Sequence, residues 1–143
     1  LNNVGMNFIT ASYIFLDLET NTIKHARAGH PSIYIHSSET DEVKEFNQKG
    51  KLLGLFPEIH SETVEFSIQK GDRIVLYTDG IIEARNSSDE MFGDELFIGY
   101  IRKHSRMKPA DFAKLVMNDV KSWIGNNVTN HNDDVTLMII DVK

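Results

Sequence analysis

Two short stretches carry carboxylates at the edges of apolar runs. Tyr77-Thr78-Asp79-Gly80 closes one such run, and Asn132-Asp133-Asp134-Val135-Thr136 opens another. If the two runs are neighbouring antiparallel strands, the end of the first and the start of the second share a rim, and Asp79 and Asp133 converge there. Hard divalent cations such as Mg²⁺ take oxygen ligands and keep several waters, so two or three carboxylates at one rim suffice to hold one. Bringing like charges together without a cation or compensating hydrogen bonds is unfavourable. The same residues also have a plain structural reading, Asp-Gly as a turn and Asp-Asp as a solvated strand start, and the pattern alone leaves both open.

Other chemistries find less support. The six histidines, His25, His30, His36, His60, His104 and His131, show no paired-ligand spacing of the kind zinc uses. The chain has no cysteine, no Gly-x-Ser-x-Gly nucleophile elbow and no Gly-x-x-x-x-Gly-Lys phosphate loop. His30 stands beside a turn, where its expected role is to fix the Gly29-His30-Pro31 loop, and Asp72 is expected to hold the turn at Lys70-Gly71-Asp72. Glu83 and Arg85, just past Asp79, suit contact with metal-bound water or phosphate, or else a solvated helical turn. Lys103, His104, Arg106 and Lys108 make a short basic patch, read as a solvated loop or as a dock for a phosphoprotein.

The elements that must position these residues follow from periodicity. Phe8–Glu19, Arg73–Thr78 and Val135–Val142 are apolar on both alternating faces, which predicts central or near-central strands. Thr20-Asn21-Thr22 predicts a hairpin into Ile23–Ala28, and Pro31 a break before a strand over Ser32–His36. Short strands are expected at Val43–Phe46 and His60–Ile68, with a structured loop over Gly50–Leu55 between them and a helical turn at Ile81–Arg85. Apolar residues at helical spacing predict helices near Leu96–Lys103 and Ala110–Ile124, their stripes packed on one sheet, with Pro109 at a first helical position. Many antiparallel strands with late helices predict an α+β fold, an antiparallel β-sandwich flanked by helices.

At 143 residues and 41% hydrophobic, the chain suits one domain whose core needs no disulfide staples. A net charge of −6 argues against nucleic acid or an anionic membrane surface as partner. No apolar run approaches the roughly 20 residues of a spanning helix. The start, Leu1-Asn2-Asn3-Val4-Gly5, has neither the basic nor the apolar region of a signal peptide. These features make the cytoplasm the expected location and suggest a cut from a longer protein.

The run Gly71-Asp72-Arg73-Ile74-Val75-Leu76-Tyr77-Thr78-Asp79-Gly80-Ile81-Ile82-Glu83-Ala84-Arg85-Asn86 resembles the central signature of the sporulation-stage-II-E and sigma-factor-regulator branch of the PP2C-like protein serine phosphatases. Ala28-Gly29-His30-Pro31, Leu53-Gly54-Leu55, Phe92-Gly93 and Asp133-Asp134-Val135-Thr136-Leu137 stand in that family's order around it. The resemblance implies a two-sheet αββα sandwich with two Mn²⁺ or Mg²⁺ ions at its rim, activating water against a phosphoserine or phosphothreonine. It implies metal-ligand roles for Asp79 and Asp133, with Gly80, Asp134, Glu83, Arg85 and His30 as residues around them.

The family's early Gly-Asp motif and its Asp-x-x-Gly-His-Gly stretch have no counterpart here, and Leu52 stands where the family usually has Pro. Residues 1–143 are therefore expected to be the C-terminal, larger part of one such domain, incomplete at the N-terminus, without the bridging aspartate and nearly inactive alone. The implied substrate is a phosphorylated anti-sigma-factor antagonist, with a sensory domain upstream in a bacterial parent chain. The alternatives are an inactive pseudophosphatase module that binds a phosphoprotein or partner, and a metal-independent structural domain.

Overall fold

A computed structural model describes residues 7–58, 61–125 and 134–143. In chain order the elements are β1 (Ala11–Asp17), β2 (Thr22–Ala28), β3 (Ile33–His36), β4 (Val43–Phe46), β5 (Thr63–Ser67), β6 (Arg73–Tyr77), α1 (Gly93–Lys103), α2 (Pro109–Ile124) and β7 (Leu137–Asp141). They divide between two compact units.

The first unit holds a three-stranded antiparallel sheet in the order β1-β2-β5. Its hairpin forms as Thr20-Asn21-Thr22 predicts. Asn21 takes a positive φ of 52°, and the Asp17 carboxylate accepts the Glu19 and Thr20 N–H groups at 2.9 and 3.0 Å. Those two backbone donors, Thr20's first, hold the Asp17 carboxyl below its ordinary range. Gly50 meets the backbone of β2 so closely that a Cβ there would collide with the Arg27 carbonyl, a contact only glycine permits.

The second unit holds a four-stranded antiparallel sheet, β4-β3-β6-β7, and both helices. β6 lies inside it, and Ile74 and Val75 are fully buried. Tyr34, Val75 and Tyr77 from the strands form one core with Phe97 and Ile101 of α1 and Phe112, Val116 and Val120 of α2. Burial of each large apolar side chain contributes about 1.5–3 kcal/mol. The helices thus lay their apolar stripes on a single sheet, as their periodicity predicts. Acidic Asp94 and Glu95 open α1 while Arg102 and Lys103 end it, matching the helix dipole, and Pro109 begins α2.

Two strands depart from expectation. Among the described residues β1 and β7 lie at the edges of their sheets, and only β6 of the three doubly apolar runs is interior. In β1 the alternation assigns different environments to the two faces. Ile14 and Leu16 lie level with buried His25 and Ile23, whereas Tyr13 and Phe15 share the face of Lys24 and Glu65 and are 63% and 47% exposed. Aromatic residues favour strands through cross-strand contact even on an open face, so their type does not report burial. In β7, Leu137 and Ile139 pack against the core while Met138 remains exposed.

Candidate functional site

The premise of a shared rim rests on how β6 and β7 pair. They are antiparallel neighbours, in register from Arg73 opposite Asp141 to Tyr77 opposite Leu137. Thr78 extends the pairing past the ladder. Its N–H donates to the Thr136 carbonyl at 3.1 Å, its hydroxyl donates to the Asp134 carbonyl at 2.8 Å, and the Thr136 N–H donates to that hydroxyl at 2.8 Å. The backbone of residue 134 is thereby fixed beside the residue that precedes Asp79.

Asp79 itself is exposed and makes no side-chain hydrogen bond or ion pair to another described residue. Its carbonyl accepts the Glu83 N–H at 2.9 Å, and the Thr78 carbonyl accepts the Ile81 N–H at 3.2 Å, closing a turn over 79–83 that begins two residues ahead of the helical turn expected at Ile81–Arg85. Gly80 and Ile81 are buried within that turn. Asp134 is exposed, and Asp133 lies outside the described residues, so its distance from Asp79 does too.

The flanking candidates divide. Glu83 is exposed, whereas Arg85 turns to its own loop, donating to the Asp89 carbonyl at 2.7 Å with the Asp89 carboxylate at 3.3 Å. His30 belongs to the first unit, where its Nδ1 lies 3.3 Å from the Thr10 hydroxyl and its carbonyl accepts Arg27 at 2.7 Å, the loop-fixing role expected of it. Asp72 is 5% exposed, and its carboxylate accepts the Ser38 N–H, the Ser38 hydroxyl and the Gln69 N–H, which makes it the turn-holding residue predicted.

Two side-chain networks that brace β6 were not singled out from the sequence. Near the Asp79 end, Tyr34 and Tyr77 stack with ring centroids 5.4 Å apart, and the Tyr34 hydroxyl donates to Asp94 at 2.6 Å. Burial pushes the Tyr77 phenol up to about 12, and burial with the Asp94 hydrogen bond pushes the Tyr34 phenol higher still. At the opposite end Arg73, 2% exposed, meets Asp141 with two nitrogens at 2.7 and 2.9 Å and donates to the His104 and Met107 carbonyls. The signals were a phenol and a guanidinium inside otherwise apolar strands, since buried polar groups demand partners.

The described carboxylates at this end of the sheet, Asp79 and Asp134, are exposed and offer hard oxygen ligands of the kind Mg²⁺ or Mn²⁺ takes. Among the described residues no group of three His, Cys, Asp or Glu gathers around one point. None of the described helices is long and apolar enough to cross a membrane.

The family model for stage II sporulation protein E (SpoIIE) matches residues 1–143. The chain belongs to the SpoIIE family. Among curated SpoIIE-type relatives, the phosphoserine phosphatase RsbU of Bacillus subtilis is 28% identical over 81 residues, covering 57% of this chain and 24% of RsbU. The SiaA-PP2C domain of Pseudomonas aeruginosa superposes with a TM-score of 0.81 at 19% identity, over 95% of this chain and 52% of that one. The phosphatase domain of SpoIIE from Bacillus subtilis, presoaked with Mn, gives 0.69 at 21% identity over 93% and 56%. The α+β PP2C fold is thereby shown. The chain spans about a quarter of RsbU and about half of each solved domain.

Proposed function

We propose that residues 1–143 form the C-terminal, larger part of one PP2C-like domain, and that this domain is a metal-dependent protein serine/threonine phosphatase. The observation that carries the reading is the β6–β7 pairing continued through Thr78, which sets the exposed Asp79 at the sheet end beside the backbone of Asp134. Family membership and the name of RsbU, a phosphoserine phosphatase, support the reaction class.

Asp79 and Asp133 would hold Mn²⁺ or Mg²⁺, with Asp134 beside them. When bound, a pair of such ions lowers the pKa of water, clamps phosphate oxygens and offsets charge in an in-line displacement. The chain's own residues supply the rest. Thr78 ties the two strands so that the carboxylate-bearing segments start from fixed backbone positions. The stacked Tyr34 and Tyr77, anchored on Asp94, hold the β6 end from within the core. Asp79 faces solvent, leaving the rim open to a phosphoserine on another protein's surface. That protein is an anti-sigma-factor antagonist in this reading, the location is the cytoplasm, and a sensory domain in the parent chain governs the activity.

Phosphate release from a phosphoserine protein with Mn²⁺ tests this, measured for the chain and for the intact parent side by side. Metal-dependent release by the parent that Asp79→Asn or Asp133→Asn abolishes is the expected result. A parent that binds the phosphoprotein without releasing phosphate would make the domain a binding module instead.

A further inference from the structure

The connection between α1 and α2 carries a basic surface that the rim does not use. Arg102, Lys103, Arg106 and Lys108 place four cations within seven residues of a chain whose net charge is −6. Three of them, Arg102, Lys103 and Arg106, line an open hollow of about 660 Å³ together with His104, Ser105 and a single carboxylate, Asp41. Asp41 is itself engaged, with its carboxylate 2.9 Å from His36 and 3.6 Å from Arg102. Lys103, Arg106 and Lys108 are exposed and make no side-chain hydrogen bond or ion pair to a described residue.

The hollow also has a firm backbone. Buried Arg73 donates to the His104 and Met107 carbonyls from the sheet, and the Met107 N–H donates to the His104 carbonyl at 3.0 Å, so the cations stand on a braced turn. A braced presentation lowers the ordering cost that a partner would otherwise meet. The position is informative as well. Arg73, which braces the turn, opens β6, whereas Asp79 follows the strand's other end, six residue steps on and at most about 20 Å away along the backbone.

We infer that the Arg102–Lys108 turn is a docking surface for the acidic face of the phosphoprotein substrate, remote from the rim. This rests on the phosphatase reading for the identity of the partner, and on the local charge for the contact itself. An acidic chain repels an extended polyanion over most of its surface, so a compact patch of this size favours a protein with a local acidic face over nucleic acid.

The test uses fluorescence anisotropy of a fluorescein-labelled tetra-glutamate peptide, short enough to stay on the patch, at about 50 mM salt, where surface charges are only partly screened. The wild-type chain should bind, more weakly as salt rises. The triple variant Lys103→Glu, Arg106→Glu and Lys108→Glu should lose about tenfold or more of that affinity, and the triple glutamine variant an intermediate amount, while Asp79→Asn changes nothing. In the intact parent the same triple variant should raise KM for the phosphoprotein, leaving kcat and hydrolysis of p-nitrophenyl phosphate unchanged. Equal peptide binding by wild type and triple variant would overturn the proposal. So would tight binding of a single-stranded oligonucleotide with no binding of the peptide. If the parent releases no phosphate yet the triple variant abolishes peptide binding, the docking surface stands and the catalytic reading falls.

Discussion

The two ends of β6 carry the same two residue types in mirror order, Gly71-Asp72 before the strand and Asp79-Gly80 after it, and the structure treats them oppositely. Asp72 is buried and saturated by three donors from Ser38 and Gln69, and beside it Arg73 is locked to Asp141. Asp79 is exposed and has no side-chain partner among the described residues. A carboxylate whose acceptor capacity is filled by its own fold has nothing left for a ligand, whereas one held at a rim by backbone bonds alone keeps it. The difference separates a carboxylate used up by the scaffold from the one assigned to the proposed metal site, along five residues of one strand.

Breaking the scaffold end should have the largest effect. Arg73→Ala leaves Asp141 and two carbonyls of the α1–α2 turn without their donor, and removing one partner of a buried pair costs about 3–5 kcal/mol. Urea unfolding followed by circular dichroism should show it. Asp72→Ala comes next, stranding the Ser38 and Gln69 donors at a cost of about 2–3 kcal/mol by the same measurement. Asp79→Asn should sharpen the contrast, moving stability by no more than about 0.5 kcal/mol, as expected of an exposed residue outside any network.

A pH test probes the core between the two ends. Tyr34 and Tyr77 have folded pKa values raised above the ordinary 10.0, so the stability they confer is complete below about pH 10. It falls as pH rises through the range up to about 12 at which Tyr77 ionises in the fold. Absorbance at 295 nm should therefore show Tyr34 and Tyr77 resisting ionisation at pH 10–11 until the protein unfolds. Tyr34→Phe, which removes the donor to Asp94, should cost about 1.5–3 kcal/mol at neutral pH.

Much of this was legible in the residues. The hairpin at Asn21, the start of α2 at Pro109 and the interior place of β6 follow from turn chemistry, fixed proline φ and an unbroken apolar run. Asp72 was readable as a turn residue through its local donor, the Gln69 N–H, whereas its two bonds from Ser38, 34 positions away, were not. The edge positions of β1 and β7 were not legible, since Tyr13, Phe15 and Met138 are apolar in type yet exposed, and alternation does not say which face is covered. The Arg73–Asp141 and Tyr34–Asp94 partnerships were hidden for another reason: they join residues 68 and 60 positions apart, and only strand register and helix packing bring them together. Asp79 was legible as a candidate through its strand-ending position, and Asp133 lies outside the described residues.

In the proposed site Asp79 is the metal-binding carboxylate, whereas Asp72 is a structural one. Electron paramagnetic resonance of free Mn²⁺, titrated with the wild-type chain, Asp79→Asn and Asp72→Asn, tests it most directly, because an amide keeps the shape and loses the charge. Asp79→Asn should weaken Mn²⁺ binding by about tenfold or more with unfolding unchanged, and Asp72→Asn should lose stability while its folded fraction binds like wild type. Equal Mn²⁺ binding by wild type and Asp79→Asn would contradict it.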